Sequence, residues 1–322
     1  MSEVVLSTQD LTKHFVGKTT LIGKLRGKRP LSIPAVDGVS IEIKAGSTVG
    51  LVGESGCGKS TLGRTLVGLY TATGGSLVLF DRQMGVKRTL DERRMVQMIF
   101  QDPFASLNPR MKVGDMLKEI LLFHKLVTKE NVDARCAELM TLVGLPLNAL
   151  QSYPRQFSGG QRQRIGIARA LALEPKILIA DEAVSALDVS VQASIVNLLL
   201  DLKRDLGLTM LFISHNIAIV RQVSDRIAVM YLGRIVEEGL TEDVFNNPQH
   251  PYTKLLLSSV PKMTPGSKLG EAPQGELPSM QSKFVGCRFR SRCPISTVAC
   301  ETTDPQLLDI GGQNHMVACI NL

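Results

Sequence analysis

Gly53-Glu54-Ser55-Gly56-Cys57-Gly58-Lys59-Ser60-Thr61 directly follows a short apolar run, Val49-Gly50-Leu51-Val52, and opens a stretch that reads as a helix to Leu69. The spacing is G-x-x-x-x-G-K-[ST], the pattern of a loop that wraps a nucleotide's phosphates. Gly53, Gly56 and Gly58 allow a tight turn with N–H groups aimed inward, and the helix N-terminus adds positive potential. In such a loop Lys59 reaches the β- and γ-phosphates and the Ser60 hydroxyl ligates Mg²⁺, with Ser55 and Thr61 beside them. A glycine-rich strand-to-helix turn can also be purely structural. The complete match, with strand before and helix after, favours a nucleoside triphosphate.

The 322 residues are 44% hydrophobic and 21% charged, enough for one large α/β domain with an appendage. Four Tyr, ten Phe and no Trp weigh weakly against a base-stacking nucleic-acid binder. No run approaches the roughly 18 apolar residues needed to cross a bilayer. The start, Met1-Ser2-Glu3-Val4-Val5, has no charged-then-apolar pattern of an export signal, so a cytosolic chain is expected. Net charge is +7, and Lys18, Lys24, Arg26, Lys28 and Arg29 form an acid-free basic insertion within about 17–33. Such a cluster can face anionic headgroups or phosphates, although a solvated loop is the commoner role.

Strands are expected at Val4 to Leu11, Val39 to Ile43, Arg94 to Phe100, Ile177 to Ala180, Met210 to Ser214 and Arg226 to Tyr231. Residues from about Val113 to Leu173 are helical in pattern. The stripe Val191, Ile195, Leu198, Leu199, Leu202 and Leu206 has helical period and reads as core packing. Alternating strands and helices argue for a mainly parallel sheet flanked by helices. After about Pro261 the texture turns to Pro, Gly and Ser with scattered Cys, which reads as a separate appendage.

Asp181 and Glu182 stand at the carboxyl end of an apolar strand, where ligands bind in open α/β sheets. Asp181 suits Mg²⁺ as a hard oxygen ligand, and Glu182 can polarise the water that attacks a γ-phosphate. A solvated acidic turn is the plain alternative. Ser158-Gly159-Gly160-Gln161 precedes an Arg-rich amphipathic run; Ser-x-x-Gln is an ordinary capping box, but two glycines at a helix start also leave N–H groups free to grip a phosphate.

Phe157-Ser158-Gly159-Gly160-Gln161 resembles the signature of ATP-binding-cassette (ABC) ATPases, and the other landmarks follow in order. Gln101 resembles the Q-loop, Ser185-Ala186-Leu187-Asp188 the D-loop and His215 the switch histidine, while Phe15 stands where the family stacks an aromatic ring on adenine. The resemblance implies an α/β P-loop core with an antiparallel β subdomain, a helical signature subdomain at about 102–165, and a small Cys-containing C-terminal extension. It implies that two cassettes close head-to-tail on two ATP molecules. Each ATP is held by the Lys59 loop of one and by Ser158, Gly160 and Gln161 of the other, with Asp188 at the shared seam. Gln101 and Asp181 would organise Mg²⁺ and water, Glu182 would act as base, and His215 would bond the γ-phosphate. Three departures stand out: Phe157 for the usual Leu, Ala183 for the Pro after the catalytic Glu, and Asn216 for the Asp after the switch histidine.

Only 98 residues separate Ser60 from Ser158, too few for the long coiled coil of chromosome-organising relatives, and one cassette is present. A transport role would then require borrowed membrane spans. Ser106-Leu107-Asn108-Pro109-Arg110, Asp188-Val189-Ser190-Val191-Gln192 and Asn247-Pro248-Gln249-His250-Pro251-Tyr252-Thr253 resemble dipeptide and oligopeptide permease ATPases, and within that group the Gly56-Cys57-Gly58 phosphate loop resembles the F type. That resemblance implies a homologous D-type ATP-binding subunit, two transmembrane permease subunits, an extracytoplasmic peptide-binding protein and a peripheral place on the cytoplasmic face of the membrane. It implies domains of 1–260 (ATP-binding) and 261–322 (extension), with no nucleic acid as partner. Nickel and glutathione importers use similar cassettes, and a soluble ATPase acting on nucleic acid is a reading from another class.

Cys57 lies in the phosphate loop and Cys136 in a helical stretch; both read as backbone or packing positions. Cys287, Cys293, Cys300 and Cys319 fall within 33 residues, with five, six and eighteen residues between them. Four thiolates suit zinc or an iron–sulfur cluster, or can stay unligated; zinc favours short C-x₂₋₄-C pairs, which are missing. The resemblance to peptide-permease ATPases implies a four-Cys [4Fe–4S] site there.

Overall fold

The computed structural model describes residues 3–17, 32–102, 106–258, 278, 284–310 and 314–322. The basic cluster at 18–29 lies outside the described residues, as does most of the 261–283 stretch. Two sheets carry the fold. The smaller joins β1 (Val4–Val16), β2 (Ser32–Val39), β3 (Glu42–Lys44), β5 (Gly74–Leu79) and β6 (Arg82–Gln83), all antiparallel. The larger takes β4 (Thr48–Val52), β7 (Val96–Ile99), β8 (Ile177–Asp181), β9 (Thr209–Ile213), β10 (Arg226–Tyr231), β11 (Arg234–Leu240), β12 (Leu308–Asp309) and β13 (Met316–Val317) in the order β12-β13-β11-β10-β4-β9-β8-β7. From β10 to β7 every pairing is parallel, and β11, β13 and β12 continue antiparallel.

Nine helices of the described residues surround these sheets: α1 (Lys59–Leu66), α2 (Leu90–Met95), α3 (Val113–Phe123), α4 (Val132–Leu142), α5 (Gly159–Leu171), α6 (Val189–Leu206), α7 (Ile217–Val223), α8 (Thr241–Asn246) and α9 (Pro251–Ser258). The parallel strands are mostly apolar because both faces are covered, as such sheets require. Alternate residues go to opposite cores. Leu178, Ala180, Met210 and Phe212 pack with α3 to α7, while Ile177, Ile179, Leu211 and Ile213 pack with Leu62 and Leu66 of α1 and with the antiparallel sheet. The loop after β4 is thus fixed between two cores.

Three local readings differ from expectation. The Val39 to Ile43 strand is two pieces, because the chain breaks at Ser40 and Thr8 Oγ1 spans the gap, donating to Val39 O and accepting from Ile41 N–H at 3.0 Å each. The strand placed at Arg94 to Phe100 starts only at Val96. Thr89 and Glu92 form a capping box that carries α2 through Met95. On α6, Ile195, Leu199 and Leu202 are buried as the stripe requires, but Leu206, next to the Gly207 C-cap, is 45% exposed.

The C-terminal residues are tied into the larger sheet. β13 pairs with β11 at Glu237↔Val317. Glu237 is fully buried, accepting from the Gln249 and His250 N–H groups at 2.8 and 2.9 Å and facing His315 Nε2 at 2.7 Å. A buried carboxylate so surrounded is costly to disturb, because removing one partner strands the others.

Candidate ATP site

The phosphate loop leaves the carboxyl end of β4 and enters α1 at Lys59. Gly58 holds φ 111°, and a Cβ there would overlap the Ala35 carbonyl, so this position accepts only glycine. Lys59 is buried, and its ammonium donates to Gly53 O and Glu54 O, both at 2.8 Å. Cys57 is fully buried behind the loop and burial pushes its thiol pKa up, so it packs rather than reacts.

The strand ends supply the rest. Ser60 Oγ donates to Asp181 Oδ1 over 2.7 Å, joining the first turn of α1 to the tip of β8. Asp181 is 1% exposed, and burial raises its pKa against the pull of the Ser60 hydroxyl. Its second oxygen, Oδ2, is buried with no hydrogen-bond partner. A lone carboxylate oxygen beside a serine hydroxyl at a phosphate loop is a donor set that fits Mg²⁺. Glu182 sits at φ 47°, a strained value for a non-glycine residue. Gln101 Nε2 donates to Glu182 Oε2 at 2.8 Å, and His215 Nδ1 lies 3.4 Å from Glu182 Oε1. Strand ends β7, β8 and β9 thus bring Gln101, Asp181, Glu182 and His215 to one edge.

Ser158 caps α5 with a complete capping box: Gln161 N–H donates to Ser158 Oγ, and Ser158 N–H to Gln161 Oε1. Both residues are exposed. Gly160 is crowded, since a Cβ would lie 2.5 Å from Val191 Cγ1. Asp188 occupies the N-cap position of α6, yet its exposed carboxylate makes no capping bond, which leaves it available to a neighbour. Among the described residues no hydrogen bond or ion pair joins 158–161 to the lysine loop. Phe15, on β1, meets Tyr70 edge to face at 5.3 Å, with Lys13 Nζ 5.1 Å from its ring centre. Asn216, the departure from Asp, caps α7 through Ile219 N–H, and Ala183 is buried against the core. A cleft of about 500 Å³ lies elsewhere, lined by Asp10, Glu42, Arg226 and Glu238 between the small sheet and the tail.

All four tail cysteines are free thiols, and among the described residues no group of three or more His, Cys, Asp or Glu is drawn together to hold a metal ion. They are nonetheless neighbours. Cys287 N–H donates to Cys300 O at 2.8 Å, and Cys287 and Cys293 are pushed up by burial and further by the other thiols. Sequence reasoning missed the partners of Glu54 altogether: Tyr252 Oη accepts its N–H at 2.8 Å, and Arg292 Nη1 donates to its carboxylate at 3.0 Å. The only signal was the Asn-Pro-Gln-His-Pro-Tyr motif, which spacing could not connect to the loop.

The comparisons agree with this geometry. Residues 36–185 match the model of the ABC transporter family, and residues 236–300 match the oligopeptide/dipeptide transporter C-terminal region. The chain is 46% identical to the oligopeptide transport ATP-binding protein OppF of Salmonella typhimurium, over 99% of this chain and 97% of that one. It is 44% identical to the dipeptide transport ATP-binding protein DppF of Escherichia coli, over 99% and 95%. Among solved structures, the ATP-binding cassette MJ0796, in a dimeric post-hydrolysis state bound to ADP and Pi, superposes with a TM-score of 0.63 at 28% identity, covering 73% of this chain and 98% of that one. CbiO1 of Clostridium perfringens, part of the cbiONQ ABC transporter complex, gives 0.62 at 25%, covering 76% and 92%. With a phosphate loop, an acidic strand tip and a capped glycine helix in one α/β frame, this chain belongs to the ABC transporter ATPases, in the branch of the oligopeptide and dipeptide transport ATP-binding proteins.

Proposed function

We propose that this chain hydrolyses ATP to drive import of di- or oligopeptides, lying on the cytoplasmic face of the membrane against partner permeases. None of its described helices is long and apolar enough to cross a membrane, so the spans would come from those partners. In this reading residues 1–260 are the ATP-binding domain with its helical subdomain at about 102–165, the region after Gln101 through about Tyr153 docks the permeases, and 261–322 is the extension. The pairing subunit is a D-type homologue, and an extracytoplasmic binding protein delivers the peptide.

The observation that carries the reading is the convergence of Ser60–Asp181 and Gln101–Glu182–His215 on the loop edge, in a chain alignable end to end with peptide-transport ATPases. Lys59 and the loop N–H groups, with Gly53, Ser55, Gly56, Gly58 and Thr61, hold the phosphates, while Phe15 faces the adenine. Ser60, Asp181 and Gln101 hold Mg²⁺, which screens phosphate charge. Glu182 orients and deprotonates water, and His215 bonds the γ-phosphate. Phosphoryl transfer depends on such positioning and charge stabilisation. Ser158, Gly160, Gln161 and Asp188 serve the ATP on the partner cassette's loop. The four-cysteine segment is proposed to seat a [4Fe–4S] cluster, on its resemblance to peptide-permease ATPases and the electrostatic coupling of Cys287 and Cys293 to the other tail thiols; iron and sulfide in protein made without air would bear this out, and colourless, iron-free protein would contradict it.

The test is uptake by cells that carry the intact importer. Lys59→Ala is expected to abolish entry of labelled dipeptide while the chain still co-purifies with its membrane subunits. Loss of nickel or glutathione uptake with peptide uptake untouched would overturn the cargo.

A further inference from the structure

Glu54, the second residue of the phosphate loop, is held through its N–H, its C=O and one carboxylate oxygen, while its Oε1 is buried without a hydrogen-bond partner. Its N–H donates to Tyr252 Oη at 2.8 Å, its C=O accepts from Lys59 Nζ at 2.8 Å, and its Oε2 accepts from Arg292 Nη1 at 3.0 Å. Two of these three holds come from the C-terminal part of the chain, 198 and 238 residues away. The Arg292 side chain is only 5% exposed, so its charge faces Glu54 with little water to screen it.

Those two residues are themselves braced. Tyr231, Tyr252 and Phe289 form a buried ring cluster with centroids 4.6 to 5.5 Å apart. Arg292 lies over the Tyr231 ring at 5.9 Å and also donates to its hydroxyl at 3.4 Å. Tyr252 N–H donates to His250 Nδ1 at 3.0 Å, which fixes the tyrosine at both ends. Rigid aromatic walls leave the Glu54 peptide unit little freedom, and a preorganised loop spends less of its binding energy on ordering.

We infer that Arg292 and Tyr252 are positioning residues for ATP, holding the Glu54 peptide in its phosphate-binding orientation, so that the C-terminal segment is a working part of the nucleotide site. The inference rests on loop 53–61 being the phosphate cradle. A purely structural role for Arg292, fastening the tail, would lower stability without separating KM from kcat.

The experiment measures ATPase against ATP concentration in the assembled importer, together with direct binding of a fluorescent ATP analogue. Arg292→Met is expected to raise KM and Kd about tenfold with kcat changed less than about twofold, and Arg292→Lys to recover most of the loss. Glu54→Gln, which leaves the tail's packing intact, should give the same rise, and the double variant should be no worse than either single one. Tyr252→Phe should weaken binding several-fold, roughly the worth of one hydrogen bond. Unchanged KM in Glu54→Gln, or fully additive losses in the double variant, would overturn the inference even if Arg292→Met fails to fold. Lys59→Ala separates the two levels. If it leaves nucleotide binding unchanged, the cradle itself is wrong; if it abolishes binding while the clamp variants match wild type, only the clamp is wrong.

Discussion

Gln101 donates its side-chain amide to Glu182 across 2.8 Å, tying the end of β7 to the end of β8 at the carboxylate best placed to activate water. His215 flanks the other oxygen of the same carboxylate. Glu182→Gln should leave ATP binding intact and cut turnover by about 10²-fold or more, the usual worth of a general base. Single-turnover hydrolysis of radiolabelled ATP checks this, and undiminished hydrolysis would remove Glu182 from the mechanism.

Asp181 leads to a pH dependence. Burial raises its pKa above the usual carboxylate value, so the folded, metal-free chain takes up this proton more readily than the unfolded one. The ionised form therefore costs stability above the folded pKa, and that cost shrinks as pH falls through it and is gone below the unfolded value. Asp181 would hold Mg²⁺ only in its ionised form, so protonation would compete with the metal. Apparent Mg²⁺ affinity, measured by titration in the Glu182→Gln protein with bound ATP, should weaken as pH drops toward the raised value. Asp181→Asn should flatten the profile.

His250 gives the opposite sign. Burial lowers its pKa from 6.5 to about 4, so the fold holds the ring neutral. Stability that depends on this is complete above the unfolded value near 6.5 and drains away as pH falls toward 4. The loss is about 3 kcal/mol at most, at roughly 1.4 kcal/mol per pH unit. Urea unfolding across that window should show the slope, and His250→Gln should remove it.

The site was legible where chemistry follows local spacing. The Gly53 to Thr61 loop, the Asp181–Glu182 strand tip and the Ser158–Gln161 box are each set by a few adjacent residues whose types leave little choice. Short apolar runs such as those in β8 and β9 were readable for the same reason. What failed depends on distant partners. Thr8 decides where the strand after Val39 breaks, and the Thr89–Glu92 box competes with strand pairing for residues up to Met95. β12 and β13 are two residues each, with no periodicity to detect, and exist because β11 offers an edge. The Arg292–Glu54 pair spans 238 residues, beyond any local pattern.

The central claim is that this chain's Ser158–Gly160 helix start completes a nucleotide site on a second cassette. Light scattering of the Glu182→Gln chain with its partner cassette tests it most directly. The expected result is an ATP-dependent pair that Gly160→Val abolishes while each separate chain still binds ATP. A pair that persists in Gly160→Val, or that forms equally well without ATP, would contradict the claim.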